Sequence, residues 1–138
     1  MGRIVGIDFG AKRIGLAVTD PEQIIASGLT TVDRDEIIAY LNNYVDRASV
    51  ELFVVGDPTN LDGSATDATK LAQNFVKKLE NEFPTIPVKT VDEAFTSKMA
   101  IDTMVEAGIG KKKRRNKKLK DKISATIILQ SYLESKGP

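Results

Sequence analysis

Three short strand-like segments follow one another at the start of the chain, before any helical pattern begins. Residues 3–9 and 14–19 are β-branched and apolar, and the linker between them contains Gly10, which predicts a β-hairpin. A third segment, near residues 25–32, is rich in Thr and Ile and predicts another strand. The chain is therefore expected to open with three successive strands.

The hydrophobic pattern then changes to helical spacing. Apolar residues recur every three or four positions from Ile37 to Ala48, and they follow Asp33 with Glu36 three residues later as a capping signal. Five further elements are predicted: a buried strand at 51–57, a helix over 68–79, a strand at 86–92, and helices over 99–105 and about 121–134.

The resulting order of elements is β-β-β-α-β-α-β-α-α. Strands followed by alternating strands and helices predict an α/β fold, with a mixed five-stranded sheet that carries helices on both faces. The chain of 138 residues is long enough to bury a hydrophobic core, and it contains no internal repeat or low-complexity linker. We expect a single domain over residues 1–138.

Two residue types that carry much of enzyme chemistry are missing from the sequence. Cysteine and histidine are both absent. Their absence excludes disulfides, thiolate or imidazole metal ligands, cysteine nucleophiles and every catalytic arrangement built on histidine. An enzyme with this composition must handle protons and metals with carboxylates and lysines.

The start of the chain and its apolar runs bear on where the protein works. Met1 leads directly into an apolar strand segment without the basic and apolar regions of a signal peptide. No apolar run approaches the roughly 20 residues needed to cross a bilayer. We expect a cytoplasmic protein with no membrane partner.

The net charge of +1 hides an uneven distribution of charge. Residues 111–120 (KKKRRNKKLK) hold eight of the 20 basic side chains and no acid. Because this run lies between two apolar-patterned segments rather than at a terminus, it is typical of a phosphate-binding loop. A solubilising loop is the alternative.

Three carboxylates stand where a sheet of this kind places a functional site. One is Asp8, in the otherwise apolar first strand; the second comes from the Asp92-Glu93 pair that ends the fifth strand; the third is Asp121, directly after the basic run at the start of the last helix. Glycines at positions 6, 10 and 15 leave room near Asp8 for a ligand or another backbone. The plain alternatives are an exposed strand residue for Asp8 and a helix N-cap for Asp121.

Carboxylate oxygens of this kind suit a hard divalent cation. We expect Mg²⁺ or Mn²⁺, held as two ions about 4 Å apart, an arrangement that activates a water and stabilises the leaving 3′-oxygen of a phosphodiester. That chemistry needs no histidine. Few aromatic residues are present, five Phe, three Tyr and no Trp, so recognition of nucleic acid is expected to rest on shape and backbone rather than on base stacking.

Four motifs in succession resemble those of one family. GIDFGAKRIGLAVTD, VVGDPTNLDGS, VDEAFTS and DKISATIILQSYL occur in the order and at the spacing of the YqgF family, also called RuvX, from about residue 4 to residue 133. The resemblance implies an RNase H-like fold, similar to that of the RuvC Holliday-junction resolvase. It also implies a link to maturation of the 5′ end of 16S ribosomal RNA.

The resemblance assigns roles to individual residues. It implies that Asp8, Glu93 and Asp121 are the catalytic residues and metal ligands, with Asp8 bridging the metals. It also implies that Ala94 stands where the family usually has an arginine, so that a basic contact near the metal site is missing unless the basic run supplies it.

Nucleic-acid contacts are expected from several further positions. Lys12 and Arg13 fall where a substrate phosphate could be bound, and Asn60, Asp62 and Gly63 either touch the nucleic-acid backbone or form a turn and cap a helix. The basic run contributes Lys111, Lys112, Lys113, Arg114, Arg115, Lys117 and Lys118.

The resulting functional hypothesis is a metal-dependent nuclease that processes the 5′ end of pre-16S rRNA. A resolvase of branched DNA and a non-catalytic nucleic-acid-binding factor are the alternatives. An actin-like ATPase or sugar kinase would share the Asp8 hairpin, but it needs a second domain for which this chain has no room. A monomer would favour RNA processing and a stable dimer the resolvase, and a monomer or weak homodimer is expected. The RNA-processing hypothesis also includes a precursor ribosomal particle as a partner.

Overall fold

All five predicted strands are present, and the helices within the described residues lie close to their predicted positions. The computed structural model describes residues 2–10, 12–57, 67–92 and 117–136. The strands are β1 (Arg3–Phe9), β2 (Arg13–Thr19), β3 (Ala26–Asp33), β4 (Val50–Asp57) and β5 (Val88–Asp92). The helical elements are a 3₁₀ turn (Arg34–Glu36) followed by α1 (Ile37–Arg47), α2 (Asp67–Glu82) and α3 (Lys117–Lys136).

The strands form one mixed sheet in the spatial order β3-β2-β1-β4-β5. The first three strands are antiparallel neighbours, whereas β4 runs parallel to β1 and β5 runs parallel to β4. The carboxyl ends of β1, β4 and β5 therefore lie at the same edge of the sheet. Asp8 is the second-last residue of β1, and Asp57 is the register partner of Asp92 at the ends of β4 and β5.

Helices cover both faces of the sheet, as the alternation of apolar residues requires. One face packs against α1 and α2 through a cluster that includes Val5, Ile7, Leu41, Phe53, Phe75 and Leu79. The other face packs against α3 through a smaller cluster formed by Ile4, Ala17, Leu52, Val54, Ala125, Ile128 and Leu129. Side chains of successive strand residues alternate between these two clusters.

Two predicted helix starts differ from the structure. Asp33 makes no side-chain capping hydrogen bond, because it is the last residue of β3 and a 3₁₀ turn separates it from α1. The last helix begins at Lys117 rather than at Asp121. The four residues before Asp121 are lysines and a leucine, which are good helix formers, and they extend the helix backwards by one turn.

The earlier start of α3 changes two expectations. Asp121 lies inside the helix, so its interpretation as an N-cap residue is wrong. The basic run is not a loop throughout, since its last four residues belong to α3. The predicted helix over 99–105 lies outside the described residues. Within the described ranges, no helix has the length and apolar character needed to cross a membrane.

One carboxylate fixes the turn between β2 and β3. Asp20 Oδ1 accepts the backbone N–H groups of Ile24 and Ile25, both at 2.8 Å, and Oδ2 accepts that of Glu22 at 3.2 Å. The hydrogen bond from the Ile25 N–H is the largest of the contributions that hold the pKa of Asp20 below its usual value of 3.8. Two large apolar side chains, Ile24 and Ile25, are exposed on this turn at 62% and 63%.

Replacing Asp20 with Ala should loosen this turn. Because the folded pKa of Asp20 is depressed, its stabilising contribution is present above the unfolded value of 3.8 and is lost as the pH falls through the folded pKa. We expect thermolysin to cut Asp20→Ala faster than the wild type at Ile24 or Ile25 at neutral pH. We also expect the free energy of unfolding of the variant to fall less than that of the wild type between neutral and low pH. Equal cleavage rates for the variant and the wild type would contradict this role.

Candidate active site

Asp8 faces the helix that carries Asp121. Its register partner on β2 is Gly15, and directly opposed residues of an antiparallel pair project from the same face of a sheet. A Cβ atom placed on Gly15 would meet the backbone of Asp121, so this face is the one covered by α3. Asp8 therefore lies on the face of the sheet against which the start of α3 packs, and its membership of one site with Asp121 stays a prediction.

Glycines allow α3 to lie directly on the sheet. A Cβ on Gly15 would come within 2.0 Å of the Asp121 carbonyl oxygen, and a Cβ on Gly6 within 2.7 Å of Leu129 Cβ. The space that the sequence predicted near Asp8 is thus filled, at these two positions, by another segment of the chain. Gly15 is a positioning residue whose neighbour on α3 the sequence pattern did not identify.

An ion pair joins the first hairpin to the last helix. Arg13 Nε donates to Asp121 Oδ2 at 3.2 Å, with the two side chains 26% and 25% exposed. The sequence predicts Arg13 as a phosphate contact, and the structure adds a carboxylate partner at the candidate site itself. No local pattern could reveal this pair, because its residues are 108 positions apart.

The Arg13–Asp121 pair should contribute modestly to stability. Both side chains are partly exposed, and ion pairs of this kind are worth about 1 kcal/mol or less. We expect Arg13→Ala to lower the free energy of unfolding by no more than about that amount, with a smaller difference in high salt, because screening weakens the pair. Urea unfolding at two salt concentrations measures it. A salt-independent loss would assign the effect to packing of the arginine stem instead.

The structure describes only some of the other residues that were predicted to contact nucleic acid. Lys12 is exposed next to this site, and its carbonyl oxygen accepts the Arg34 N–H at 3.0 Å. Lys117 and Lys118 lie in the first turn of α3, one turn before Asp121. The remaining predicted residues lie outside the described ranges: Glu93, Asn60, Asp62, Gly63, Lys111, Lys112, Lys113, Arg114 and Arg115.

The donor set of the site is all oxygen. Asp8 and Asp121 supply carboxylates, the ligands that Mg²⁺ and Mn²⁺ prefer. Among the residues that the structure describes, no group of three or more acidic side chains is close enough to hold a metal ion. Glu93, which follows β5 in the sequence, is the predicted third ligand. The two described carboxylates fit a hard cation, and Arg13 provides Asp121 with a positive partner in the protein itself.

Comparison with solved structures identifies the architecture. The chain is similar to RuvC of Thermus thermophilus in complex with a Holliday junction substrate, with a TM-score of 0.58 over 99% of this chain and 97% of that one at 18% identity. At this level of identity the likeness shows the fold alone. The RNase H-like fold, a mixed five-stranded sheet with helices, is thereby confirmed.

Sequence comparisons place the chain among close relatives. It is 52% identical over 136 residues to a protein of Bacteroides fragilis and 52% identical over 135 residues to one of Porphyromonas gingivalis, covering 98–99% of each. Both carry the name "Putative pre-16S rRNA nuclease". A family model described as "RuvX: Holliday junction resolvase" matches residues 2–135. The chain therefore belongs to the RuvX family.

Proposed function

We propose that this protein is a divalent-metal-dependent nuclease of the cytoplasm that hydrolyses phosphodiester bonds in structured nucleic acid, and that its substrate is the 5′ region of pre-16S rRNA. The observation that carries the proposal is the convergence of Asp8 and Asp121 across Gly15, from opposite ends of the sequence. The names of close relatives support the choice of substrate.

Each carboxylate has a distinct place in this proposal. Asp8 on the central strand β1, Asp121 on α3 and Glu93 after β5 would together hold the cations. Bound Mg²⁺ or Mn²⁺ would supply activation of the attacking water and stabilisation of the leaving oxygen. The protein's own part is to fix the carboxylates on rigid elements. Arg13 keeps Asp121 oriented and presents a cation to a substrate phosphate.

The basic run should bind the nucleic-acid backbone. Each lysine or arginine that neutralises a phosphate releases counterions, so affinity should fall steeply with salt and depend little on sequence. We expect replacement of the charges in residues 111–118 by glutamine to weaken RNA binding and to reduce the slope of log affinity against log salt by about 0.7 per lost phosphate contact. Filter binding at several salt concentrations measures the slope. An unchanged slope would count against this role.

A resolvase of branched DNA is the second candidate. The structural similarity to RuvC and the description of the family favour it. A resolvase must present two active sites to a symmetric junction, and therefore has to act as a dimer.

One assay separates the two substrates. The wild-type protein is offered a precursor 16S RNA and a four-way DNA junction, each in Mg²⁺, Mn²⁺ or EDTA. The proposal predicts metal-dependent cleavage that is faster on the RNA. Faster cleavage of the junction, with a dimer in sedimentation, would assign the protein as a resolvase. Binding without cleavage of either substrate would assign a non-catalytic nucleic-acid-binding factor.

A further inference from the structure

A cleft of about 330 Å³ opens on the face of the sheet opposite α3. It lies between the start of α1 and the middle of α2, at the end of β1. Its lining residues are Phe9, Arg34, Asp35, Ile37, Ile38, Leu71, Asn74, Phe75 and Lys78. Phe9 directly follows Asp8 in the chain, and successive strand residues point to opposite faces. The cleft and the candidate active site therefore share one end of β1 on opposite sides of the sheet.

The cleft has an apolar floor and a charged rim. Phe9 stacks on the buried Phe75 with 4.7 Å between ring centroids, and Ile37 beside them is 2% exposed. Leu71 is unusually exposed for a large apolar side chain, at 40%. The rim carries two cations, Arg34 and Lys78, together with the Asn74 amide and one acid, Asp35, and these four side chains are exposed.

This combination of surfaces matches one nucleotide. A base offers flat apolar faces to aromatic and aliphatic side chains, and such contacts are tolerant of sequence. A phosphate suits Arg34 and Lys78, whose two positive charges exceed the single negative charge of Asp35. A base that is paired inside a duplex cannot enter a cleft, because its faces are stacked and its edge is occupied by its partner.

We infer that the cleft binds one unpaired nucleotide of the substrate strand, next to the nucleotides held at Asp8. The inference rests on the proposed nuclease function and refines it, because it requires an unpaired segment beside the cleavage site. A fully paired junction arm does not supply such a segment. The low aromatic content argues against base stacking as the main mode of recognition. In this inference, base stacking is confined to this single position.

Methyl NMR of the full-length protein tests the inference without any cleavage. The probe is a single-stranded oligoadenylate of six nucleotides, added in the absence of divalent metal. The methyl signals of Ile38 and Leu71, which line the cleft, should shift on addition of the probe. Those of Ile128, an α3 residue buried against the opposite face of the sheet, should not. Binding of the oligonucleotide with no change at Ile38 and Leu71, or no binding at all, would overturn the inference.

A pair of charge-reversal variants provides the matched control. Lys77 and Lys78 are exposed neighbours on α2, but only Lys78 lines the cleft. Both substitutions change the net charge equally, so Lys78→Glu should weaken oligoadenylate binding about tenfold more than Lys77→Glu. Equal weakening by the two variants would show only general electrostatics and would refute the cleft as a site. The readout here is binding without metal or cleavage. Failure of this inference would therefore appear in the binding and NMR data, whereas failure of the nuclease proposal would appear as absence of metal-dependent cleavage.

Discussion

Replacing Asp8 with Asn should abolish cleavage while leaving the fold and most nucleic-acid binding intact. Asp8 is a proposed metal ligand, and an amide lacks the negative charge with which a carboxylate holds a hard divalent cation. Loss of the several kcal/mol of charge stabilisation that such ions provide corresponds to a rate decrease on the order of a thousandfold. Single-turnover cleavage of precursor 16S RNA measures the rate, and filter binding measures the retained affinity.

Asp46→Asn is the matched control for this substitution. Asp46 is an exposed acid on α1, which packs against the other face of the sheet, so its replacement makes the same chemical change away from the site. The control should cleave at the wild-type rate. An Asp8→Asn protein that cuts as fast as the wild type would remove Asp8 from the catalytic set.

Replacing Gly15 with Ala should damage both stability and activity. The new methyl group would lie 2.0 Å from the Asp121 carbonyl oxygen, a backbone atom that cannot rotate away. The start of α3 must shift, and overpacking of this kind costs about 3 kcal/mol. The same shift moves Asp121 relative to Asp8, and a misplacement of about 1 Å can slow catalysis a hundredfold. Urea unfolding and the cleavage assay measure the two effects.

Gly28→Ala separates this specific contact from the general cost of replacing glycine in a strand. A Cβ on Gly28 also meets α3, at 2.8 Å from Lys122 Cγ, but that atom belongs to a flexible side chain that can move. We expect a change of less than about 1 kcal/mol and normal cleavage. If Gly15→Ala behaved like Gly28→Ala, the close approach of α3 at Asp121 would not be the feature that positions the site.

The fold could be predicted because its signals are local. Alternating and helical hydrophobic periods predicted all five strands and the helices that the structure describes, within a few residues at their ends. The errors came from the ends of helices. Asp33 matches a capping pattern but belongs to the β3 ladder opposite Arg13, and nothing before Asp121 prevents the lysine-rich turn from becoming helical. Sheet pairing decided the first case and helix propensity the second.

The site could be predicted only in part, for a different reason. Asp8 stood out because an acid interrupts an apolar strand, and the family motif pointed to Asp121. The Arg13–Asp121 pair and the fit of Gly15 against α3 depend on how distant segments pack, which no spacing in the sequence encodes. The cleft beside Phe9 likewise combines residues from β1, α1 and α2, and its floor residues look like ordinary core positions in the sequence.

Calorimetric titration with Mn²⁺ asks whether Asp8 and Asp121 hold one cation site, on which the proposed nuclease activity depends. Wild type, Asp8→Asn, Asp121→Asn and the control Asp46→Asn are compared without nucleic acid. We expect the wild type and the control to bind Mn²⁺ equally, and each site variant to bind at least about tenfold more weakly. Mn²⁺ affinity equal to that of the wild type in both Asp8→Asn and Asp121→Asn would show that these two carboxylates do not form a metal site.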